Sequence, residues 1–181
     1  MNCPGCGAPL PSQPTGDALP CAYCGSVYLP NANNDGVRIF DESPAEPCPV
    51  CGVPLMHASL AGAAIRYCTR CHGLLIPMDA FEPLLSAVAA QPGPPQIPAV
   101  ADPSQLDRRL ACPHCHQPMD THFYAGPGNV ILSDCERCQL NWLDHGKLQR
   151  LARAVAENVP GTVGDPFGDD TALLHTSDLS S

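Results

Sequence analysis

Large side chains for a core are scarce in this chain. Four Phe, four Tyr and a single Trp, Trp142, are spread over 181 residues that also hold 22 prolines. That excludes one large apolar core and points to several small units that need extra stabilisation. Lysine occurs once, at Lys147; with abundant Ala and Pro, the preference for Arg reflects a GC-rich genome more than a function. No apolar run approaches the ~18 residues of a membrane span. Met1-Asn2-Cys3-Pro4 has neither the basic nor the apolar segment of a secretory leader. The expectation is a soluble cytoplasmic chain without membrane contact, its thiols kept reduced. Nor is there a recognisable Ser/His/Asp set, carboxylate pair or phosphate loop, so no enzyme is expected.

What is abundant is cysteine. All 12 fall into Cys-x-x-Cys pairs: Cys3/Cys6, Cys21/Cys24, Cys48/Cys51, Cys68/Cys71, Cys112/Cys115 and Cys135/Cys138. A Cys-x-x-Cys turn aims two sulfurs at one spot, and two such turns make a tetrahedral S₄ cage for Zn²⁺ with bonds of about 2.3 Å. Four sulfurs close the metal off from water and substrate, which marks a structural centre and not a Lewis acid. The expectation is three Zn²⁺ ions, one per four cysteines, each set drawn from one stretch of chain because loop closure favours local pairing.

An internal repeat sets the grouping. Cys3-Pro-Gly-Cys-Gly-Ala-Pro-Leu10 recurs as Cys48-Pro-Val-Cys-Gly-Val-Pro-Leu55 and as Cys112-Pro-His-Cys-His-Gln-Pro-Met119. Each copy precedes a second Cys-x-x-Cys pair. The expected fold is a small metal-stabilised α+β protein of three tandem Cys₄ zinc ribbons, each a β-hairpin, the second and third followed by a short helix. The units are 1–29, 46–90 and 110–157. Between them lie a linker at 30–45, with one strand-like run at Val37-Arg38-Ile39-Phe40, and a Pro-rich linker at 91–109. Residues 158–181 read as an acidic disordered tail.

Finer expectations follow. Ala64–Tyr67 and Asn129–Leu132 read as hairpin strands. Asp79 is placed to cap a helix reaching about Ala90, interrupted by Pro83, and Asp144 to cap one over Lys147–Glu157. Leu10, Val27 and Tyr28 are the apolar side chains available to the first unit. Trp142 is expected in the core against Leu148 and Leu151. The residue after each pair's second cysteine needs a left-handed backbone; Gly7, Gly25 and Gly52 suit it, while His72, His116 and Gln139 must adopt it at some cost. These histidines read as turn residues, and His57, His114, His122, His145 and His175 as surface residues. Arg70 and Arg137, each just before its unit's fourth cysteine, either stabilise the dianionic Zn(Cys)₄ centre or are solvated.

The second and third units resemble the bacterial transcription factor IIB-type zinc ribbon family through Cys135, Cys138, Trp142, Leu143 and Asp144, and through Gly73. The third unit has Gln139-Leu140 where the family prefers glycines and Lys147 where Glu is usual; the second has Leu75 and Pro77 in place of Trp and Asp. The first unit is similar to short zinc ribbons that open many bacterial proteins. The resemblance implies zinc binding.

For function, the expectation is a non-catalytic adaptor that binds a protein partner. The net charge is −9, and three Zn(Cys)₄ centres of −2 each take it to −15. Phosphate contacts require basic patches, so the acidic balance disfavours nucleic acid. Lys147, Arg150 and Arg153 on the last helix are the one local exception. A transcription-associated nucleic-acid-binding ribbon therefore stands as the alternative. An iron-binding electron carrier and a thiol–disulfide exchanger stand behind it.

Overall fold

The Cys-Pro-x-Cys frame builds the same loop three times. The N–H of Cys3, Cys48 and Cys112 donates to the carbonyl of Ala8, Val53 and Gln117, at 2.7–2.8 Å. The residue before each cysteine pairs with the proline ending the frame: Asn2 with Pro9, Pro47 with Pro54, Ala111 with Pro118. In this computed structural model residues 1–11, 16–91, 101–126 and 129–157 are described, without the side chains of 42–45. The core of the Pro-rich linker and the acidic tail lie outside the described residues.

From these loops grow two sheets. The first unit carries only β1 (Leu19–Pro20) and β2 (Val27–Tyr28), paired antiparallel. The rest form one sheet of β3 (Arg38–Pro47), β4 (Pro54–Leu60), β5 (Ala63–Tyr67), β6 (Leu74–Pro77), β7 (Asp120–Phe123), β8 (Ile131–Cys135) and β9 (Leu140–Leu143). Its strand order is β3-β4-β5-β6-β9-β8-β7, every neighbour antiparallel. Helices α1 (Met78–Ala89) and α2 (Lys147–Glu157) pack against each other. The result is a small α+β fold, mostly sheet with two helices. Residues 38–45, read as part of a linker, extend into strand β3. Asn129 does not begin a strand; it turns with φ 47°.

The second and third units meet through a shared strand pair, and the repeat explains how. Leu75 and Trp142 hold the same place in their units, four residues after the last cysteine. In the β6–β9 ladder they face each other. A local two-fold relation therefore runs through the Leu75–Trp142 pair, and the two repeats join as an isologous interface would, within one chain.

Pleating then sorts the apolar residues onto two faces. Leu74, Ile76 and Leu143 point to the helices and join Phe81, Leu84, Leu85, Leu148 and Leu151 in one buried cluster. Leu75 and Trp142 point the other way, joining Leu55, Leu110, Met119 and the buried cysteines Cys48, Cys68, Cys112 and Cys135. Trp142 is core as expected, but it packs on the cysteine face; Leu148 and Leu151 lie across the sheet from it. The first unit's cluster of Leu10 and Leu19 is completed by Phe40 of β3, while Val27, expected to help fill it, is exposed.

The helix starts differ from expectation. α1 begins at Met78 after Pro77, with no side-chain cap, so Asp79 is a first-turn residue and not the cap. Pro83 is tolerated inside, where Phe81, Leu84 and Leu85 anchor the helix by burial. The Asp144 carboxylate is taken by side chains, accepting from Arg108 at 2.8 Å, Lys147 at 2.7 Å and Trp142 Nε1 at 3.3 Å.

The indole of Trp142 occupies the space beside Gly73 where a Cβ would stand, in overlap with Cζ2 and 2.6 Å from Cη2 of its six-membered ring. Gly73→Ala is therefore expected to cost at least about 2 kcal/mol, within the range of overpacking. The check is denaturant unfolding followed by the fluorescence of the single tryptophan, which should also shift in the native baseline.

Candidate metal centres

Six cysteine turns are built alike. In five of them the N–H of the residue after the second cysteine donates to the first cysteine's carbonyl at 2.8–3.0 Å, as from Gly7 to Cys3 and from His116 to Cys112. In the sixth the turn is tighter, with Cys138 N–H to Cys135 at 3.2 Å and Gln139 N–H to Glu136 at 3.3 Å. All six of these residues are left-handed: Gly7, Gly25 and Gly52 at φ 70–76°, 73° for Gly25 among them, and His72, His116 and Gln139 at 55–59°. That shape turns both sulfurs of a pair the same way.

The twelve sulfurs assemble into three groups of four: Cys3, Cys6, Cys21 and Cys24; Cys48, Cys51, Cys68 and Cys71; Cys112, Cys115, Cys135 and Cys138. Each group comes from a single repeat. Across each group, sulfurs of the two turns stand 3.4–3.7 Å apart: Cys3–Cys24 3.7, Cys6–Cys21 3.7, Cys48–Cys71 3.6, Cys51–Cys68 3.4 and Cys115–Cys135 3.7 Å. A tetrahedron with 2.3 Å bonds has edges of about 3.8 Å. Each group could hold a metal ion. In every group the first cysteine of each pair is buried and the second more open.

Crowding four sulfurs sets their protonation. In the first group the Ser26 hydroxyl, 2.8 Å from Cys24, and the Ser26 N–H hold the Cys24 thiol down at about 6. The Ala8 N–H pulls Cys6 the same way, yet the neighbouring sulfurs outweigh it and push Cys6 up to about 12. The second group repeats the split. Burial opposes ionisation of Cys68, but the N–H groups of Cys71 and Arg70 and the Cys51 thiol hold it at about 7; burial drives Cys71 up to about 11. In the third the Gln117 N–H leads in holding Cys115 at about 7, and burial first, then neighbouring sulfurs, take Cys138 to about 12. Without a cation, each group keeps an easily formed thiolate beside thiols that resist ionisation.

The surroundings assign the other residues singled out in the sequence. Arg70 and Arg137 are exposed, and among the described residues neither makes an ion pair. His72 is more than a turn residue. Its Nδ1 lies 2.7 Å from Asp35 Oδ2, which also accepts from the Tyr67 hydroxyl at 2.7 Å, and His145 Nε2 stands 3.2 Å from Asp35 Oδ1. This ties the second unit's turn to the start of α2 and to residue 35, read as linker. His57 is half-buried, with burial holding its imidazole below the usual value. His114 and His116 are exposed, and His175 lies outside the described residues. His122 has two carboxylate neighbours that the sequence order does not reveal, since strand register brings them together. Lys147, expected on an outward basic face, is buried; its Nζ bonds Asp144 and the Ile131 carbonyl.

No family model, curated protein or solved structure matches the chain. Among the described residues no helix is long and apolar enough to cross a membrane.

Metal entry must displace the protons on Cys6, Cys71 and Cys138, whose thiols are held at about 12, 11 and 12. Loading the metal-free chain at neutral pH should release at least one proton per site, and affinity should rise with pH and fall on acidification. Metal titration in weakly buffered solution with a pH indicator reads this directly.

Proposed function

We propose that the three Cys₄ groups bind Zn²⁺ as closed structural centres and that the chain is a non-catalytic zinc-ribbon adaptor for a protein partner. Two tight turns per site, with sulfurs at tetrahedral spacing, suit a d¹⁰ ion that needs no particular ligand field. Four thiolates leave no position for substrate, so the centres act on folding and on the surface they hold in place. The likeness of the second and third units to bacterial transcription factor IIB-type ribbons supports the same reading of the metal; the name carries no transcriptional role with it.

The observation that carries the choice of partner is where the positive charge goes. Lys147 is buried on Asp144, Arg108 shares that carboxylate, Arg66 pairs with Glu46 at 2.7 Å, and Arg38 donates to the Pro30 carbonyl at 2.6 Å. These four cations are spent on internal partners and are withdrawn from any phosphate-binding face, while Arg70 and Arg137 stay exposed. The first ribbon meanwhile presents Tyr23, Val27 and Leu29 outward, at 74%, 64% and 54% exposure. Tyr is among the residues enriched at the hot spots of protein interfaces, and Val27 and Leu29 extend the apolar surface beside it. The acidic tail lies outside the described residues; its Phe167 and Leu173-Leu174 are the second apolar group proposed to meet the partner.

The test compares the zinc-loaded chain with a Tyr23→Ser/Val27→Ser variant and with a chain lacking residues 159–181. Partner capture should fall at least tenfold in one of these, with zinc content and helix signal unchanged. Micromolar, salt-sensitive binding to DNA or RNA by the intact chain, unaffected by the two apolar substitutions, would contradict the adaptor reading.

A further inference from the structure

The two joined repeats share a register, which makes one serve as a control for the other. In the second unit Met56 faces Tyr67 across β4–β5; at the same place in the third, Asp120 faces Asp134 across β7–β8. Two residues further along the strands, Ala58 in the second unit corresponds to His122 in the third. In the second unit this face is apolar and closed, with Ala58 and Tyr67 buried against the helices. The architecture therefore does not require polar residues there. The third unit nevertheless has two carboxylates directly opposite each other, an arrangement that is destabilising unless something positive lies between them.

Geometry shows what could. The Nδ1 of His122 stands 3.4 Å from Asp120 Oδ2 and 3.3 Å from Asp134 Oδ1. Both distances are long for hydrogen bonds. They match the ~3.3–3.4 Å between donors that share one ion with 2.0–2.1 Å bonds. The Asp134 side chain is only 9% exposed, and among the described residues it has no partner outside this group. A carboxylate so deeply placed is stable when it is paired or bound to a metal. By contrast, the cluster of Asp35, His72 and His145 is already closed by hydrogen bonds of 2.6–2.7 Å among Tyr67, Asp35 and His72.

His122 and Asp134 also line an open groove of about 610 Å³. Its far wall is Met78 and Phe81 from the start of α1, and Glu136 and Asn141 add polar groups near Asp134. Three protein donors leave at least one coordination position open, and here it faces the groove. That is the converse of the closed sulfur cages.

We propose that Asp120, His122 and Asp134 form a fourth metal site, binding a divalent transition-metal ion through one nitrogen and two oxygens. The open position is held by water or by an oxygen- or nitrogen-bearing ligand entering the groove. Mixed imidazole and carboxylate donors suit divalent ions such as Zn²⁺, Co²⁺ or Ni²⁺ better than soft Cu(I). The site is independent of the sulfur cages and exchanges its ion more easily.

The experiment uses the full chain carrying three zinc ions, freed of loosely held metal by a mild chelator. It is titrated with Co²⁺ by calorimetry and visible spectroscopy. One further equivalent should bind with a micromolar dissociation constant and give only weak d–d bands, without the intense sulfur-to-cobalt absorption of a thiolate site. His122→Ala and the isosteric Asp134→Asn should each weaken that step more than about 100-fold, since even the outer partners of metal ligands are worth about 10–100-fold. Zinc content must stay at three and the far-UV spectrum unchanged in both variants. If either fails to fold, His122→Gln and Asp120→Asn replace them. No fourth equivalent below millimolar Co²⁺, or a fourth equivalent insensitive to these substitutions, overturns the proposal. So does self-association of the Asp variants with metal binding unaltered, for then the charges serve to protect the edge strand β7. Strong sulfur-to-cobalt bands would instead report exchange into a cage and also count against the site. Loss of the three zinc ions on mild chelation would count against the tetrathiolate reading, separately from this one.

Discussion

Four thiolates brought within 4.8 Å of one another repel strongly, and no arrangement of nearby N–H groups offsets that repulsion fully. The alternating thiol acidities express the constraint: Cys24, Cys68 and Cys115 ionise near or below neutrality, while Cys6, Cys71 and Cys138 are held at about 11 or 12. A divalent cation resolves the conflict by replacing the protons. In the proposed reading, the cysteine turns, the hairpins that carry them and the apolar residues between them depend on that exchange. Because the buried cysteines of the second and third sites share an apolar cluster with Leu75 and Trp142, the two sites are coupled through packing. The second and third units thus share one sheet and one apolar cluster, and, on the proposed zinc reading, loss of the metal from either is expected to loosen both.

The Leu75–Trp142 pair shows how a repeat becomes a fold. Two copies of a ribbon, each too small to bury a sheet edge, pair their last strands and place their helices side by side. The asymmetry between the copies is what makes this work. Leu75 is small where Trp142 is large, and Gly73 clears the space for the indole where the other copy has Leu140. The Asp144 carboxylate then gathers Arg108, Lys147 and the indole N–H, so that the helix, the segment before the third ribbon and the core tryptophan are held at one point. Burial of that carboxylate alone would raise its pKa; hydrogen bonds and charge from Lys147 and Arg108 more than reverse this and hold it below the usual carboxylate value.

The sulfur groups were legible because Cys-x-x-Cys is a local signal, and the repeated frame of Pro9, Pro54 and Pro118 marks where each turn ends. Helix α2 was legible because Leu148, Leu151 and Val155 recur at i, i+3 and i+7. What was not legible depended on tertiary pairing. The strand β3 had no visible partner in the sequence, and residues around Ser43-Pro44 look like loop; β4 pairs with β3 from Arg38 to Ser43 and again at Pro47, with irregular register after Ile39 and after Ser43. Lys147 reads as a surface charge until Asp144 and the Ile131 carbonyl are placed beside it. Val27 reads as core, but a two-residue strand has no second layer on that side. The pairing of Asp120 with Asp134 is a matter of register, and register across a connection as long as that between Phe123 and Ile131 cannot be counted off the chain.

The central claim is that three closed zinc tetrathiolates hold this fold, and X-ray absorption at the zinc edge tests it most directly. On the full chain loaded with no more than three equivalents of Zn²⁺, the account predicts a first shell of four sulfurs at about 2.3 Å and no nitrogen or oxygen. A first shell with two or fewer sulfurs per zinc, or with oxygen or nitrogen at about 2.0–2.1 Å, would contradict it.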